Sequence, residues 1–326
     1  MMLSRVADSL YWMSRYLERA EHMARVLDVQ LHIALDVAPH TASLGWICLL
    51  NSLRFEMPAE ISADARAVTN ALAFDPNSPC SIVSCISQAR ENARQIREQI
   101  PTEMWEELNN LYLSMRDMNT DRLWAAGPHA FFRGVQRGAQ LVAGLSDSAL
   151  NHGEGWQFIR LGRYLERAIV LAWLLDSHFG MRGAGDDREA TPSDFVAWAG
   201  LLRMCSAYEA YCRVHTVELQ PRRILDFLLL NVEFPHAVRF CARQIDKAIT
   251  GIAGWTGTAH IAPACRLAGR LNADLAYGTI DEVLAGDLGT YLNTVVKTGA
   301  SVHDAVYNQY ISYTVDSVLQ GELVEA

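Results

Sequence analysis

Nothing in this sequence is basic enough for a nucleic-acid binder. Lysine and arginine total 28 against 37 aspartate and glutamate, a net charge of −9. There is no basic run, whereas binding a phosphate backbone requires a positive patch that releases counterions. No uncharged apolar run approaches the roughly 18 residues of a spanning helix, so no membrane partner is expected. The N-terminal region carries Arg5, Asp8, Arg15, Glu18 and Arg19, which a signal peptide would not. The cysteines, at 48, 80, 85, 205, 212, 241 and 265, are odd in number and lack any Cys-x-x-Cys. They read as buried thiols of a reducing compartment rather than a disulfide or zinc framework, and a cytoplasmic protein is expected.

Strand signals are also nearly absent, because β-branched residues do not alternate with polar ones over any useful length. The expected fold is all-α. Gly-x-Ser-x-Gly, His-Glu-x-x-His and a phosphate-binding Gly-rich loop are missing. So are the paired Glu-x-x-His units of a diiron bundle. No metal and no cofactor is expected, and His129, His215, His260 and His303 read as capping or packing residues.

What the chain does have is a repeat, the first thing to settle in any fold assignment. Arg-Tyr-Leu-Glu-Arg-Ala occurs at 15–20 and again at 163–168, and Leu27-Asp28 recurs in register as Leu175-Asp176. The reading is a multi-helix bundle with internal duplication, one domain over 1–326 with halves of about 1–150 and 151–326. Both copies are helical. Val6, Leu10, Met13, Leu17, Ala20, Ala24, Leu27 and Leu31 follow spacings of four and three, an apolar stripe on one helix face. Tyr11, Trp12, Tyr16, Met23 and Val26 lie off that stripe, so the helix should be covered on more than one side.

The polar residues line up as well. Asp8, Arg15, Glu18, Arg19, His22 and Arg25 share one arc. In the second copy only Arg163, Glu166 and Arg167 persist, with Trp156, Val170 and Trp173 in place of Asp8, His22 and Arg25. An exposed ladder of ion pairs is the bland reading. The apolar second copy favours a partly buried network, for which arginine is suited. Glu18 and Arg19 diverge by about 100° on a helix and do not pair well with each other. Arg15 is then the local partner of Glu18, and Arg163 of Glu166. Arg19 and Arg167 are left to reach across, Arg19 to Glu166 and Arg167 to Glu18.

Further along, Ser4 and Ser78-Pro79 are read as helix starts, as is Phe234-Pro235. Arg90, Glu91 and Arg94 crowd one side of a helix that should run to Ile100. Gly134, Gly138 and Gly144 could admit a close neighbour. Gly251–Pro263 reads as irregular, and a last helix is expected from Leu288 to Gln320. Gly180–Glu189 reads as a connector.

Leu3 to Glu21 resembles the opening of the bacterial alpha-E family, an all-helical domain with a Glu-Arg signature. Asp75–Cys85, Ala89–Arg94, Met104–Asn109, Cys205–Tyr211 and Phe234–Cys241 carry the same resemblance. It implies partners: such proteins are associated with a circularly permuted ATP-grasp ligase and a transglutaminase-like peptidase, hence with peptide or amide synthesis. Two functions are then open. One is a non-catalytic accessory subunit, with Trp124, Trp255 and 251–263 as an exposed contact surface. The other is an enzyme using Glu18 and Glu166 as acid/base with Arg19 and Arg167 holding an anion.

Overall fold

A computed structural model describes residues 2–57, 64–183, 192–215, 217–258 and 261–312. Among them are fifteen α-helices and no strand. In the first half these are α1 (Ser4–Asp36), α2 (Pro39–Ser52), α3 (Ala65–Thr69), α4 (Ile82–Gln95), α5 (Thr102–Met115), α6 (Thr120–Ala126) and α7 (Pro128–Ser148). The second half has α8 (Glu154–Arg182), α9 (Pro192–Met204), α10 (Tyr208–His215), α11 (Pro221–Leu230), α12 (Val238–Thr256), α13 (Pro263–Tyr277), α14 (Ile280–Ala285) and α15 (Leu288–Val306).

The two longest helices, α1 and α8, pack on each other at the centre. Around α1 lie α4 and α7, with α5 against both. Around α8 lie α12 and α15, with α13 against both. One cluster of buried apolar side chains runs through both groups, from Val6 to Ile311. Coverage on several sides explains the off-stripe residues of α1: Tyr11, Met23 and Val26 are fully buried, while Trp12 and Tyr16 pack against the same cluster.

Several helix ends differ from expectation. Leu3, not Ser4, precedes the first helical residue and makes no side-chain cap. That end is held instead by the Met2 backbone N–H, which donates to Glu154 at 2.8 Å. Ser81, not Ser78, caps α4, accepting from Ser84 N–H at 3.2 Å. The intervening residues are occupied by a turn in which Asn77 N–H donates to Asp75. α4 stops at Gln95, and a short 3-10 turn over Arg97–Gln99 follows. α12 starts after Phe234-Pro235 because Asn231 Oδ1 accepts from the N–H groups of Glu233 and Phe234 and prolongs the turn. It then runs on to Thr256 and ends at Gly257 in the left-handed conformation, φ 68°, so the expected irregular stretch begins only after Thr256. α15 gives way to a π turn over Tyr307–Ile311. Of the expected close-approach glycines only Gly138 meets a neighbour, the Leu111 side chain; Gly134 and Gly144 face open space. The continuation to Gln320, most of the Gly180–Glu189 connector, and His260 lie outside the described residues.

Candidate functional site

α1 and α8 approach closely at Ser14 and Gly162. A Cβ on Gly162 would collide with Ser14 Oγ and with the backbone oxygen of Tyr11. This glycine stands immediately before the second hexapeptide, and it lets two backbones nearly touch. One turn further along, each helix presents its Glu-Arg pair to the other. Arg167 Nε donates to Glu18 Oε1 at 2.5 Å and its Nη2 to Oε2 at 2.8 Å, a two-pronged fork. Arg19 Nε donates to Glu166 Oε1 at 2.6 Å. Both expected cross pairs are therefore made. They sit under aromatic rings placed alike on the two helices: Arg19 over Tyr16 at 5.7 Å and Arg167 over Tyr164 at 5.4 Å.

The local pairs are not made. Glu18 has both oxygens occupied by the fork from Arg167, so Arg15 crosses to Glu166 Oε2 at 2.8 Å instead. Arg15 also donates to Tyr11 Oη at 3.1 Å, and Tyr11 Oη in turn meets His303 Nδ1 at 2.8 Å. Arg163 turns away to α7, donating to Ser146 Oγ at 2.9 Å and approaching Asp147 at 3.5 Å. Burial pushes the Glu166 carboxyl up, but Arg15 and Arg19 outweigh it and hold the group at about 2. Burial likewise pulls Arg19 and Arg167 down, and their glutamates more than restore them above the ordinary arginine range.

Beside these pairs lies a cavity of about 70 Å³, lined among others by Glu18, Glu21, Arg163, Arg167 and His236. Its polar wall continues along α1. Arg25 is buried, donating to Met204 O at 2.6 Å and to Glu21. Burial raises Glu21 despite Arg25, and burial together with Arg25 lowers His22 to about 3. His236 is pushed well below its ordinary value by burial and by Arg167. Glu21 Oε2, His22 Nε2 and His236 Nδ1 have no hydrogen-bond partner among the described residues.

An arrangement of two helices joined through Glu-Arg pairs finds its counterpart in one comparison. The family model Alpha-E, described as a predicted alpha-helical domain with a conserved ER motif, matches residues 2–311. The chain belongs to the Alpha-E family. Uncharacterised proteins of Mycobacterium bovis and Mycobacterium tuberculosis are each 23% identical to it over 277 residues, covering 78% of this chain and 30% of the relative. The chain thus spans about a third of the length of the curated relatives it matches. No solved structure is significantly similar.

The other sequence candidates stand apart from the Alpha-E signature pairs. Arg90 donates to Asn109 Oδ1 at 2.8 Å and lies over Tyr112 at 4.6 Å, so it ties α4 to α5. Glu91 and Arg94 form an exposed pair within α4. Sequence reasoning missed Glu21 and His236, which no motif connects and which line one cavity. It also treated all cysteines alike. Cys85, Cys205 and Cys241 are indeed core thiols, each pushed up to about 12 by burial. Cys48 is different: burial raises it, but His178, 3.7 Å away, with Ser177 and Arg182 brings it down to about 7. Finally, three groups able to ligate a metal, Asp28, His32 and His129, are gathered where α1 meets the start of α7. No described helix is long and apolar enough to cross a membrane.

Proposed function

We propose that this Alpha-E chain is a non-catalytic accessory module of a circularly permuted ATP-grasp ligase system, acting with a transglutaminase-like peptidase in peptide or amide synthesis. The observation that carries this reading is the reciprocity of the signature. Glu18 and Glu166 are each closed by arginines of the other helix, so neither carboxylate is free to move a proton. Their work is to join α1 to α8. The same reciprocity supports an internal duplication. Residue pairs related by the repeat offset meet each other, Ser14 with Gly162 and each Glu with the other copy's Arg, as across a two-fold axis in an isologous dimer. The flanking helices match too, with α4, α5 and α7 around α1 and α12, α13 and α15 around α8.

The partner class comes from the resemblance to the family; in the longer relatives the matched region accompanies other sequence in one chain. A contact surface is offered by Trp255 and Ile261, 62% and 78% exposed, whereas Trp124 is half-buried and drops out. The test is affinity copurification with the ligase, then ligase ATPase with and without this chain. Copurification, altered ATPase and protection of Trp255 from a neutral quencher in the complex are expected. Failure to associate would overturn the reading.

The cavity beside the pairs favours one alternative, an enzyme of the same pathway. Its acid/base groups would be Glu21, which the second copy replaces with Ile169, and His236, rather than Glu18 and Glu166. Turnover by the isolated chain that disappears in Glu21→Gln would decide for it.

A further inference from the structure

We propose that Asp28, His32 and His129 form a binding site for a divalent first-row transition cation, zinc in the first instance, with at least one position left to water. Asp28 and His32 stand one turn apart on α1, and His129 is the second residue of α7. One donor atom from each lies within 4.8 Å of the other two. His129 Nδ1 is 2.8 Å and 3.1 Å from the two oxygens of Asp28. His32 Nδ1 is 2.7 Å from the backbone oxygen of Asp28 and 3.6 Å from its carboxylate. The two rings stand nearly perpendicular with centroids 4.8 Å apart.

The chemistry of the set selects the ion. Two imidazoles and one carboxylate suit zinc and its neighbours, whereas magnesium and calcium call for oxygen alone. Tetrahedral zinc with bonds of about 2.0–2.1 Å needs donors roughly 3.3 Å apart, so the donors have to close by up to about 1.5 Å. The geometry permits this. The carboxylate is buried and fixed at the base, while both rings are about half exposed and can turn about their side-chain bonds.

The other half of the chain shows what an aspartate at this place does when it only needs a counter-charge. Asp176, in the repeated Leu-Asp pair, is bound by Arg54 at 2.5 Å. Gly289 near the start of α15 sits where a Cβ would be 3.4 Å from its carboxylate, as His129 at the start of α7 sits over Asp28. Gly180 occupies the position four residues on that His32 has in the first half. Asp176 thus has an arginine and two glycines. Among the described residues, Asp28 has two imidazoles as its ion-pair partners.

The test uses the full chain, metal-free, titrated with zinc in competition with a chromophoric chelator. One zinc per chain is expected, with a dissociation constant at least about tenfold weaker in His32→Ala and in His129→Ala and binding lost in the double variant. Both rings lie at the surface, so circular dichroism should be unchanged; if the double variant misfolds, the two single variants carry the same comparison. Cobalt(II) identifies the ligands: its visible spectrum should lack thiolate charge transfer. Undiminished zinc binding in the variants, a thiolate band that points to the cysteines, or no zinc retained by the wild-type chain would each overturn the proposal.

Discussion

Replacing Glu166 with glutamine keeps the shape of the side chain and removes only its charge. Both carboxylate oxygens are in use, one by Arg15 and one by Arg19, and the side chain is only 3% exposed. The amide leaves two guanidinium groups facing a neutral partner that can accept from only one of them well. The magnitude follows from the carboxyl itself. Its ordinary value of 4.5 is brought down to about 2, and at about 1.4 kcal/mol for each tenfold change this amounts to about 3 kcal/mol of stability at neutral pH. Breaking buried pairs by removing one partner costs a similar amount, about 3–5 kcal/mol. The assay is urea unfolding of wild type and Glu166→Gln, read as a lower midpoint at unchanged slope. The pH dependence provides an internal check. A carboxyl held low in the fold contributes its stability above about 4.5 and loses it as pH falls toward 2, so the gap between the two proteins should close over that range. Glu91→Gln, in an exposed pair, should change nothing measurable. A Glu166→Gln protein as stable as wild type at pH 7, or a gap independent of pH, would refute the view that the signature is structural.

Gly162→Ala should destabilise the fold by about 1–3 kcal/mol, because the added methyl meets the α1 backbone, while Gly144→Ala, on an open face of α7, should stabilise it by up to about 1 kcal/mol; thermal melts of the two variants check the contrast. His22, buried and held at about 3 against an ordinary 6.5, must gain its proton in the unfolded chain first. Its contribution is therefore intact above about 6.5 and falls by about 2 kcal/mol by pH 5; unfolding curves across that range should be flatter in His22→Asn. Cys48 should ionise near pH 7 while Cys85, Cys205 and Cys241 stay protonated well into the alkaline range, so the thiolate absorbance that rises around neutrality should vanish in Cys48→Ser.

The sequence made the centre of this fold legible because the hexapeptide states it twice. A Glu-Arg unit kept in two apolar helices points to pairs between them, and Glu18–Arg167 and Arg19–Glu166 are found. Arg15 was misread because spacing on one helix ranks only local partners. It cannot register that Glu18 is already saturated from across the interface. Helix starts were misjudged where a polar residue has another use nearby, as Asn231 does ahead of α12. The family's breadth was legible from long matching stretches, but Glu21 with His236, Cys48 with His178, and Asp28 with His129 were not. Each of those groupings joins residues a hundred or more positions apart, and each depends on how distant segments pack rather than on any local pattern.

Reciprocity separates two kinds of buried charge in this core. A pair that both halves make in the same way is part of the joint between them, since any change on one side is felt equally on the other. Glu21, His22 and Arg25 have no such counterpart: the second helix carries Ile169, Val170 and Trp173 at those places. Hydrophobic residues there show that the fold does not require charge at that depth. Burying Glu21 and His22 with one polar atom each left without a partner among the described residues costs stability, on the order of 1–3 kcal/mol per group. Asp28 and Asp176 keep the charge in both halves and differ in their partners, two imidazoles against Arg54. Where the halves agree, the residues build the scaffold. Where the first half alone keeps charge at a cost the second avoids, on α1 from Glu21 to Arg25, the chain carries groups whose use must be sought in what it binds.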